Sequence, residues 1–360
     1  MSNLITTFTD ISDWQKNVHY STGGTRSKYI ALHPETNEEY FFKGSQENLL
    51  GEIKYSNEFW SEIASSKIGQ FFGFPMLDYN IAFNKYHKQK IGCISKSMVY
   101  SSRNKLTEGV TYLTGSNSNY IPSLHKTDYT FQFICKALRK FNFEKYIENI
   151  IEIIVFDSII GNSDRHQENW GILTAHKITI EEKNIDEEVS ATKKRSLYRK
   201  IRRLASRFFY DENKEFTRIL EDPNYTIKFK TSYQFAPIYD SGCCLGREHT
   251  DEKVLKMICD SQMIEAYIRK GESEIHWEGH LKKRNHFELI ELLLEHYPTE
   301  TKKFIARVKE KHNCESIKEI IENIDINVPM DLINFKLSET RKQLMFKLVT
   351  LRIEKLTQYL

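Results

Sequence analysis

Long apolar segments are missing from this sequence. The longest nearly continuous apolar stretch, residues 147 to 160, contains acidic residues and is shorter than the roughly 20 residues that a bilayer-spanning helix needs. The first 17 residues also lack the basic start and the apolar stretch of a secretory signal. We therefore expect no membrane insertion and a cytoplasmic location.

Paired cysteines and a strong excess of one charge are missing too. The six cysteines show no C-x-x-C spacing, and the adjacent Cys243 and Cys244 cannot easily ligate one zinc ion together. The histidines form no H-E-x-x-H pattern. A net charge of +3 is too small to indicate nucleic-acid binding by itself. We expect reduced thiols, no structural metal and no direct contact with nucleic acid.

Apolar and aromatic residues, in contrast, are plentiful. They make up 40% and 12% of the chain, with 22 Phe and 19 Tyr, which is enough for a dry core and argues against disorder. The length of 360 residues exceeds the roughly 250–300 residues at which single cores stop growing. The composition therefore predicts a globular protein with two lobes.

The order of patterns along the chain predicts an α+β protein. Residues 18 to 43 read as three antiparallel strands, and residues 56 to 75 read as a helix with Ser56 as N-cap and Gly73 near its end. Two more strands are predicted between residues 76 and 99. The later segments with apolar residues at helical spacing are 127–160, 280–325 and 329–360. The fold predicted is a small N-terminal antiparallel sheet with one helix, followed by a larger, mainly helical part.

Two polar segments interrupt this pattern. Residues 100 to 125 are rich in turn formers and are expected to connect the lobes. Residues 181 to 232 hold an acidic run followed by the basic "KKRSLYRKIRRLASR", and we interpret them as an insertion. A solvated helix face is the simpler interpretation of this insertion, and a partner or nucleic-acid site is the alternative.

A polar loop between two apolar ends, "IIGNSDRHQENWGIL" at residues 159 to 173, carries the strongest functional signal. Asp164 and Asn169 stand five positions apart, as do the catalytic Asp and the magnesium-binding Asn of the kinase loop H-R-D-x-x-x-x-N. Here the Arg and His follow the Asp. A loop that caps neighbouring helices is the structural alternative. The full N-x-D-R-H-x-x-N string, with several polar types at fixed offsets, favours a catalytic loop.

The string "GNSDRHQENWGIL" resembles the catalytic loop of the HipA-like toxin kinases, which is itself similar to that of phosphatidylinositol kinases. The resemblance spans roughly residues 18 to 295 and implies a two-lobed protein-kinase-like fold. Residues 1–110 would form the ATP-binding lobe, and residues 111–360 would form the helical catalytic lobe. The resemblance also implies ATP and Mg²⁺ as cofactors.

Asp164, Asn169 and Asp240 are the catalytic residues that this resemblance implies. Asp164 would orient or deprotonate the acceptor hydroxyl, and Asn169 would hold magnesium. Asp240 in "PIYDSG" resembles the "PxYD" element of the family and would supply the second magnesium ligand. An apolar strand precedes Asp240, and Gly242 permits a turn after it. An Asx turn after a strand is the alternative, and the charged insertion separates Asp240 from the loop.

Lys43 at the end of "EEYFFK" is the candidate for binding the nucleotide phosphates. The alternative is a lysine that merely closes an exposed strand. Glu58, early in the predicted helix, is the expected ion-pair partner of Lys43. Glu52 and Glu62 remain alternatives for that role.

Residues 21 to 28, "STGGTRSK", are the candidate phosphate-covering loop. Gly23 and Gly24 let backbone N–H groups approach phosphate oxygens, and Lys28 adds positive charge, although a Gly-Gly turn alone is weak evidence. The resemblance implies an inhibitory autophosphorylation site at the first position, which is Ser21. A phosphate there adds about −1.5 to −2 charge where ATP must bind, so ATP affinity should fall.

The function predicted is therefore a Ser/Thr protein kinase. The resemblance implies a protein acceptor, such as an aminoacyl-tRNA synthetase for a growth-arresting toxin with its antitoxin, or a host protein for a secreted effector without a conventional signal peptide. Two alternatives stay open. One is a lipid kinase of the phosphoinositide type, because D-R-H-x-x-N is shared with that class. The other is a non-catalytic module that acts through the charged insertion.

Overall fold

A computed structural model of the chain describes residues 4–17, 26–48, 50, 52–99, 104–182 and 225–360. Ser21, Gly23 and Gly24 of the candidate phosphate loop lie outside the described residues, as does most of the charged insertion. The strands are β1 Phe8–Asp10, β2 Gln15–Asn17, β3 Arg26–Leu32, β4 Glu39–Gln46, β5 Asn80–Phe83, β6 Ile91–Lys96, β7 Asn104–Glu108, β8 Gly171–Glu182 and β9 Tyr225–Phe235. The α-helices are α1 Glu58–Phe72, α2 Gly109–Ser116, α3 Phe131–Lys140, α4 Ile147–Ile160, α5 Asp251–Cys259, α6 Ser261–Lys270, α7 His286–His296, α8 Pro298–Lys311, α9 Cys314–Glu322 and α10 Glu339–Thr357.

The N-terminal strands form a six-stranded sheet in the order β1-β5-β6-β4-β3-β2. β1 runs parallel to β5, and the other neighbours are antiparallel. Alternate residues of β3 to β6 point to one side, where they form a small apolar core with Ile11, which follows β1. This core consists of Ile11, Ala31, Phe42, Ala82 and Ile94.

Helix α1 packs on β4 and β6, as the sequence predicted for the helix after the first strands. It ends at Gly73, whose φ of 80° is left-handed and whose N–H bonds to the carbonyl of Gln70. Its start differs from the prediction, because the N-cap is Asn57 and not Ser56. Neither residue caps the helix with its side chain; the Ser56 carbonyl instead accepts a hydrogen bond from Ser45 Oγ.

Helix α4 is the central element of the helical part. Twelve of its fourteen residues are buried, and α7, α8 and α10 pack around it. A helix that is apolar on all sides can only be stable when other elements cover it. α4 thus delivers the polar loop that follows it to a fixed position at the edge of the core.

Contacts divide the chain into two compact units. The first comprises residues 1–97, 108–171 and 235–360, and the second comprises residues 98–107 and 172–234. The predicted lobe boundary at residue 110 stays a prediction. The second unit contains a three-stranded sheet in the order β7-β8-β9.

The two polar segments contain regular structure that the sequence did not predict. β8 extends into the charged insertion as far as Glu182 and β9 begins within it at Tyr225, while the predicted helix face between them lies outside the described residues. The alternation of polar and β-branched or aromatic residues in "YTIKFKTSYQF" accounts for this strand. The expected connection at residues 100 to 125 likewise holds β7 and α2. No helix in the described ranges is both long and apolar enough to cross a bilayer.

Candidate active site

The polar loop begins where α4 ends. Gly161 follows the last helical residue with a φ of 68°, and its N–H donates to the carbonyl of Asp157. A Cβ on Gly161 would lie 2.6 Å from Arg352 Nη2, so glycine is required both by its backbone conformation and by its neighbour. The predicted end of the helix at Ile160 and the turn after it are confirmed.

Arg165 organises the loop from the inside. Its side chain is 1% exposed, and Nε and Nη2 donate to the two carboxylate oxygens of Asp157 at 2.9 and 2.8 Å. Burial alone would lower the pKa of Arg165, but the Asp157 carboxylate outweighs it and raises the pKa above its ordinary value. The guanidinium of Arg165 therefore stays charged in the fold, in a bidentate pair with complementary geometry.

The remaining donors of Arg165 connect the loop to the segment around Asp240. Nη1 donates to the carbonyls of Asn169 at 3.0 Å and Tyr239 at 2.6 Å, and Nη2 donates to Ser241 Oγ at 2.9 Å. Asp240 lies between Tyr239 and Ser241. One buried guanidinium thus sets the distance between the loop and Asp240, although the charged insertion separates them in sequence.

Two asparagines fix the backbone of the loop. Asn162 donates from Nδ2 to Asp157 Oδ1 at 3.1 Å, and its Oδ1 accepts from the N–H of Asp164 at 3.3 Å. Asn169 donates from Nδ2 to the carbonyl of Asp164 at 2.7 Å. Because Nδ2 is used in this way, Oδ1 of Asn169 is the atom that can face a cation.

Asp240 adopts a left-handed backbone with a φ of 54°. Asp is one of the few side chains that tolerate this conformation. The sequence placed Asp240 at the end of a strand with a turn at Gly242, but β9 ends at Phe235 and the left-handed residue is Asp240 itself. The conformation turns the carboxylate towards two lysines.

Lys28 and Lys43 are those lysines. They are direct partners in the register of β3 and β4, so both side chains extend from the same face of the sheet. Lys43 Nζ lies 3.5 Å from Asp240 Oδ1, and Lys28 Nζ lies 3.9 Å from Asp240 Oδ2. Lys43 is 8% exposed and β4 continues to Gln46, so the alternative of a lysine closing an exposed strand is wrong.

The acidic partner of Lys43 on α1 is Glu62 and not Glu58. Lys43 Nζ lies 3.8 Å from Glu62 Oε1, and it donates to Tyr79 Oη at 3.1 Å. Glu58 accepts from the N–H of Gln46 at 2.8 Å and lies 3.3 Å from Arg247 Nε. The reason is position along the helix: Glu58 bonds to Gln46 at the end of β4, and Glu62 lies four residues, about 6 Å, further along the same face of α1.

Sequence reasoning missed several residues of this site. Asp157 is a lone carboxylate in an otherwise apolar helix end, and this isolation was a usable signal. Arg247 lies in a polar turn that matches no motif. The adjacent position of Cys243 and Cys244 indicates only that they are poor zinc ligands. No local pattern distinguished Arg247 or Cys243.

The oxygen donors fit Mg²⁺. Asp240 offers a carboxylate and Asn169 an amide oxygen, and Mg²⁺ is typically bound through one or two carboxylates with water and substrate phosphates. Within the described ranges no group of three or more His, Cys, Asp or Glu could hold a metal ion alone. Water and substrate phosphate oxygens would complete the coordination of a cation bound by Asp240 and Asn169.

Comparison with solved structures identifies the fold. The chain resembles the crystal structure of the proinflammatory kinase CtkA from Helicobacter pylori, with a TM-score of 0.65 and 18% sequence identity, over 98% of each chain. No family profile and no curated protein matches the sequence. The predicted α+β, two-lobed, kinase-like fold is confirmed.

Proposed function

We propose that this protein is a Ser/Thr protein kinase of the HipA-like type that uses Mg-ATP. One observation carries the proposal: Lys43 lies between Glu62 and Asp240, and Arg165 ties the Asp240 segment to the loop with Asp164 and Asn169. A lysine paired with a helix glutamate, a metal-binding Asp and a catalytic loop are the parts that phosphoryl transfer in kinases requires.

Each residue has a role in the proposed reaction. Lys43 and Lys28 would bind the nucleotide phosphates, together with backbone N–H groups at Gly23 and Gly24. Asn169 and Asp240 would hold Mg²⁺, which when bound neutralises phosphate charge. Asp164 would accept the proton of the attacking hydroxyl. The buried pair of Asp157 and Arg165 keeps the loop in place, as preorganised catalysis needs.

The proposal extends to regulation and partners. Phosphorylation of Ser21 would reduce ATP affinity, because it adds negative charge to the loop that covers the phosphates. The acceptor would be a protein hydroxyl, on an aminoacyl-tRNA synthetase or on a host protein. A toxin role would also require an antitoxin partner.

Transfer of label from γ-labelled ATP tests the proposal. We expect the purified protein to label itself or a protein acceptor, and Asp164→Ala to lose this transfer while it stays folded. Asp331→Ala, which removes an exposed aspartate elsewhere, should transfer like the wild type. Label found on phosphoinositide vesicles and not on protein would replace the proposal with a lipid kinase.

A further inference from the structure

The turn after Asp240 is bonded directly to the catalytic loop. The N–H of Ser163 donates to the carbonyl of Cys243 at 3.2 Å, and the N–H of Leu245 donates to the carbonyl of Ile160 at 3.2 Å. These two backbone hydrogen bonds fix Cys243 against the residues that precede Asp164. The 8% exposed Cys243 side chain is therefore held at a defined place beside the loop.

The same turn brings Arg247 back over Cys243. Leu245 and Gly246 both have left-handed backbones, with φ of 55° and 74°, and they reverse the chain within four residues. Arg247 Nη2 donates to Cys243 Sγ at 2.9 Å, while Nε lies 3.3 Å from Glu58 Oε1. The guanidinium also stacks on the ring of Tyr55, 4.2 Å from its centroid.

The thiol of Cys243 has two acidic neighbours but only one hydrogen to donate. Its Sγ lies 3.2 Å from Asp164 Oδ2 and 3.7 Å from Glu58 Oε1. Glu58 already accepts from the N–H of Gln46 and faces Arg247. Since Arg247 donates to the sulfur, the thiol hydrogen is best directed to the nearer oxygen, on Asp164.

We propose that Cys243 and Arg247 are positioning residues that orient the carboxylate of Asp164 for its reaction with the acceptor hydroxyl. This inference rests on the proposed function and deepens it. The hydrogen bond from the thiol occupies Oδ2 and leaves Oδ1 of Asp164 for the acceptor. Arg247 orients the thiol, and through Glu58 it links this orientation to the first turn of α1.

The proposal is tested by separating kcat from KM. Cys243→Ala removes the donor, so kcat for transfer should fall about tenfold while the KM for ATP changes less than about twofold. Cys243→Ser keeps a donor and should stay within about threefold of the wild type. Cys135→Ala, which removes a buried thiol from α3, is the matched control and should leave kcat unchanged.

A double-mutant cycle tests the link between the two residues. Arg247→Met alone should lower kcat, and adding it to Cys243→Ala should lower kcat little further, because both act through one hydrogen bond to Asp164. Additive losses would overturn the role of Arg247. Equal losses in Cys243→Ala and Cys243→Ser, or a wild-type kcat in Cys243→Ala, would overturn the role of Cys243.

A readout that needs no transfer checks the contact itself. The thiolate is the form that iodoacetamide alkylates, and a carboxylate next to the sulfur disfavours it. Asp164→Asn should therefore speed alkylation of Cys243 severalfold, measured by mass spectrometry of its peptide. An unchanged rate would overturn the contact between the thiol and Asp164. Absence of transfer by the wild-type protein, with the alkylation rate raised as expected, would instead overturn the proposed function and with it this role.

Discussion

At the scale of single residues, the site depends on buried charges that compensate each other. Asp157 and Arg165 are both almost fully buried, and each would be costly to keep ionised without the other. Their pairing gives no chemistry of its own. It holds the loop with Asp164 and Asn169 and the segment with Asp240 in one arrangement.

Removal of one partner of this pair should be severe. Arg165→Ala leaves the Asp157 charge buried without its partner, so the free energy of unfolding should fall by about 3–5 kcal/mol. Chemical denaturation of the folded variant measures this loss. Lys303→Ala removes a pair that is largely exposed, with Glu148, and should cost at most about 1 kcal/mol. Similar losses in both variants would contradict a central role for Arg165.

Residue identity in the site could be predicted from the sequence only where spacing carries the information. Asp164 and Asn169 stand at a fixed interval within one loop, and they could be chosen without a structure. The choice between Glu58 and Glu62 could not, because both lie on the same face of α1 and only the offset between α1 and β4 separates them. Such offsets arise from tertiary packing, which one sequence does not reveal.

At the scale of elements, the junction between α4 and its loop is the most constrained. Gly161 has a left-handed backbone, and a Cβ added there would lie 2.6 Å from Arg352 Nη2. Gly279 has a similar φ of 83°, but a Cβ added there would meet no atom of the described residues within 4 Å. Comparing the two positions therefore distinguishes the cost of a left-handed backbone from the cost of a steric clash. Glycine is also the signal that let the sequence predict the ends of α1 and α4.

Alanine at these two positions should have different effects. Gly279→Ala has only the backbone cost, about 1 kcal/mol, because its surroundings are open. Gly161→Ala adds a clash with the buried guanidinium of Arg352, so its melting temperature should fall further than that of Gly279→Ala. Equal melting temperatures would show that Arg352 can move away without cost.

Element starts and the charged insertion were less predictable than element ends. Asn57 and Ser56 are both good N-cap types, and neither side chain caps α1, so propensity could not choose between them. β9 was obscured because its strand pattern follows a long run of charged residues. The many charged residues of that segment favoured an insertion, and the alternation of side-chain types that indicates a strand received less weight.

At the scale of the whole molecule, buried histidines make the fold sensitive to acid. Burial lowers the pKa of His286 well below its ordinary value, and nearby Arg352 adds to this effect. Burial also lowers the pKa of His87 and of His276. Below about pH 6.5 each of these side chains therefore binds a proton more readily in the unfolded chain than in the folded protein.

The sign of the pH dependence follows from this difference. At these histidines the unfolded chain binds more protons than the folded one below about pH 6.5, so their contribution to the free energy of unfolding should fall as the pH falls from about 7 to about 5.5. His286→Phe removes one of these groups and should reduce the slope by up to about 1.4 kcal/mol per pH unit. Denaturation series at several pH values measure it, and an unchanged slope would contradict burial of a neutral His286.

The kinase-like fold was the level at which the sequence was most informative. The periodicity predicts a small N-terminal sheet, one helix and a mainly helical second part of the chain. The motif at residues 159 to 173 then indicates the kinase-like fold among the many α+β folds. The second compact unit was not predicted, because β7 comes from a distant part of the chain and pairs with β8. Long-range strand pairing leaves little trace in local patterns.

The most direct test of the central claim separates ATP binding from phosphoryl transfer in three proteins. We expect the wild type to bind Mg-ATP and transfer label, Asp164→Ala to bind but not transfer, and Lys43→Met to lose most of both, because Lys43 would bind the phosphates and Asp164 the acceptor hydroxyl. A wild-type protein that binds Mg-ATP yet labels neither itself nor any partner would contradict the account.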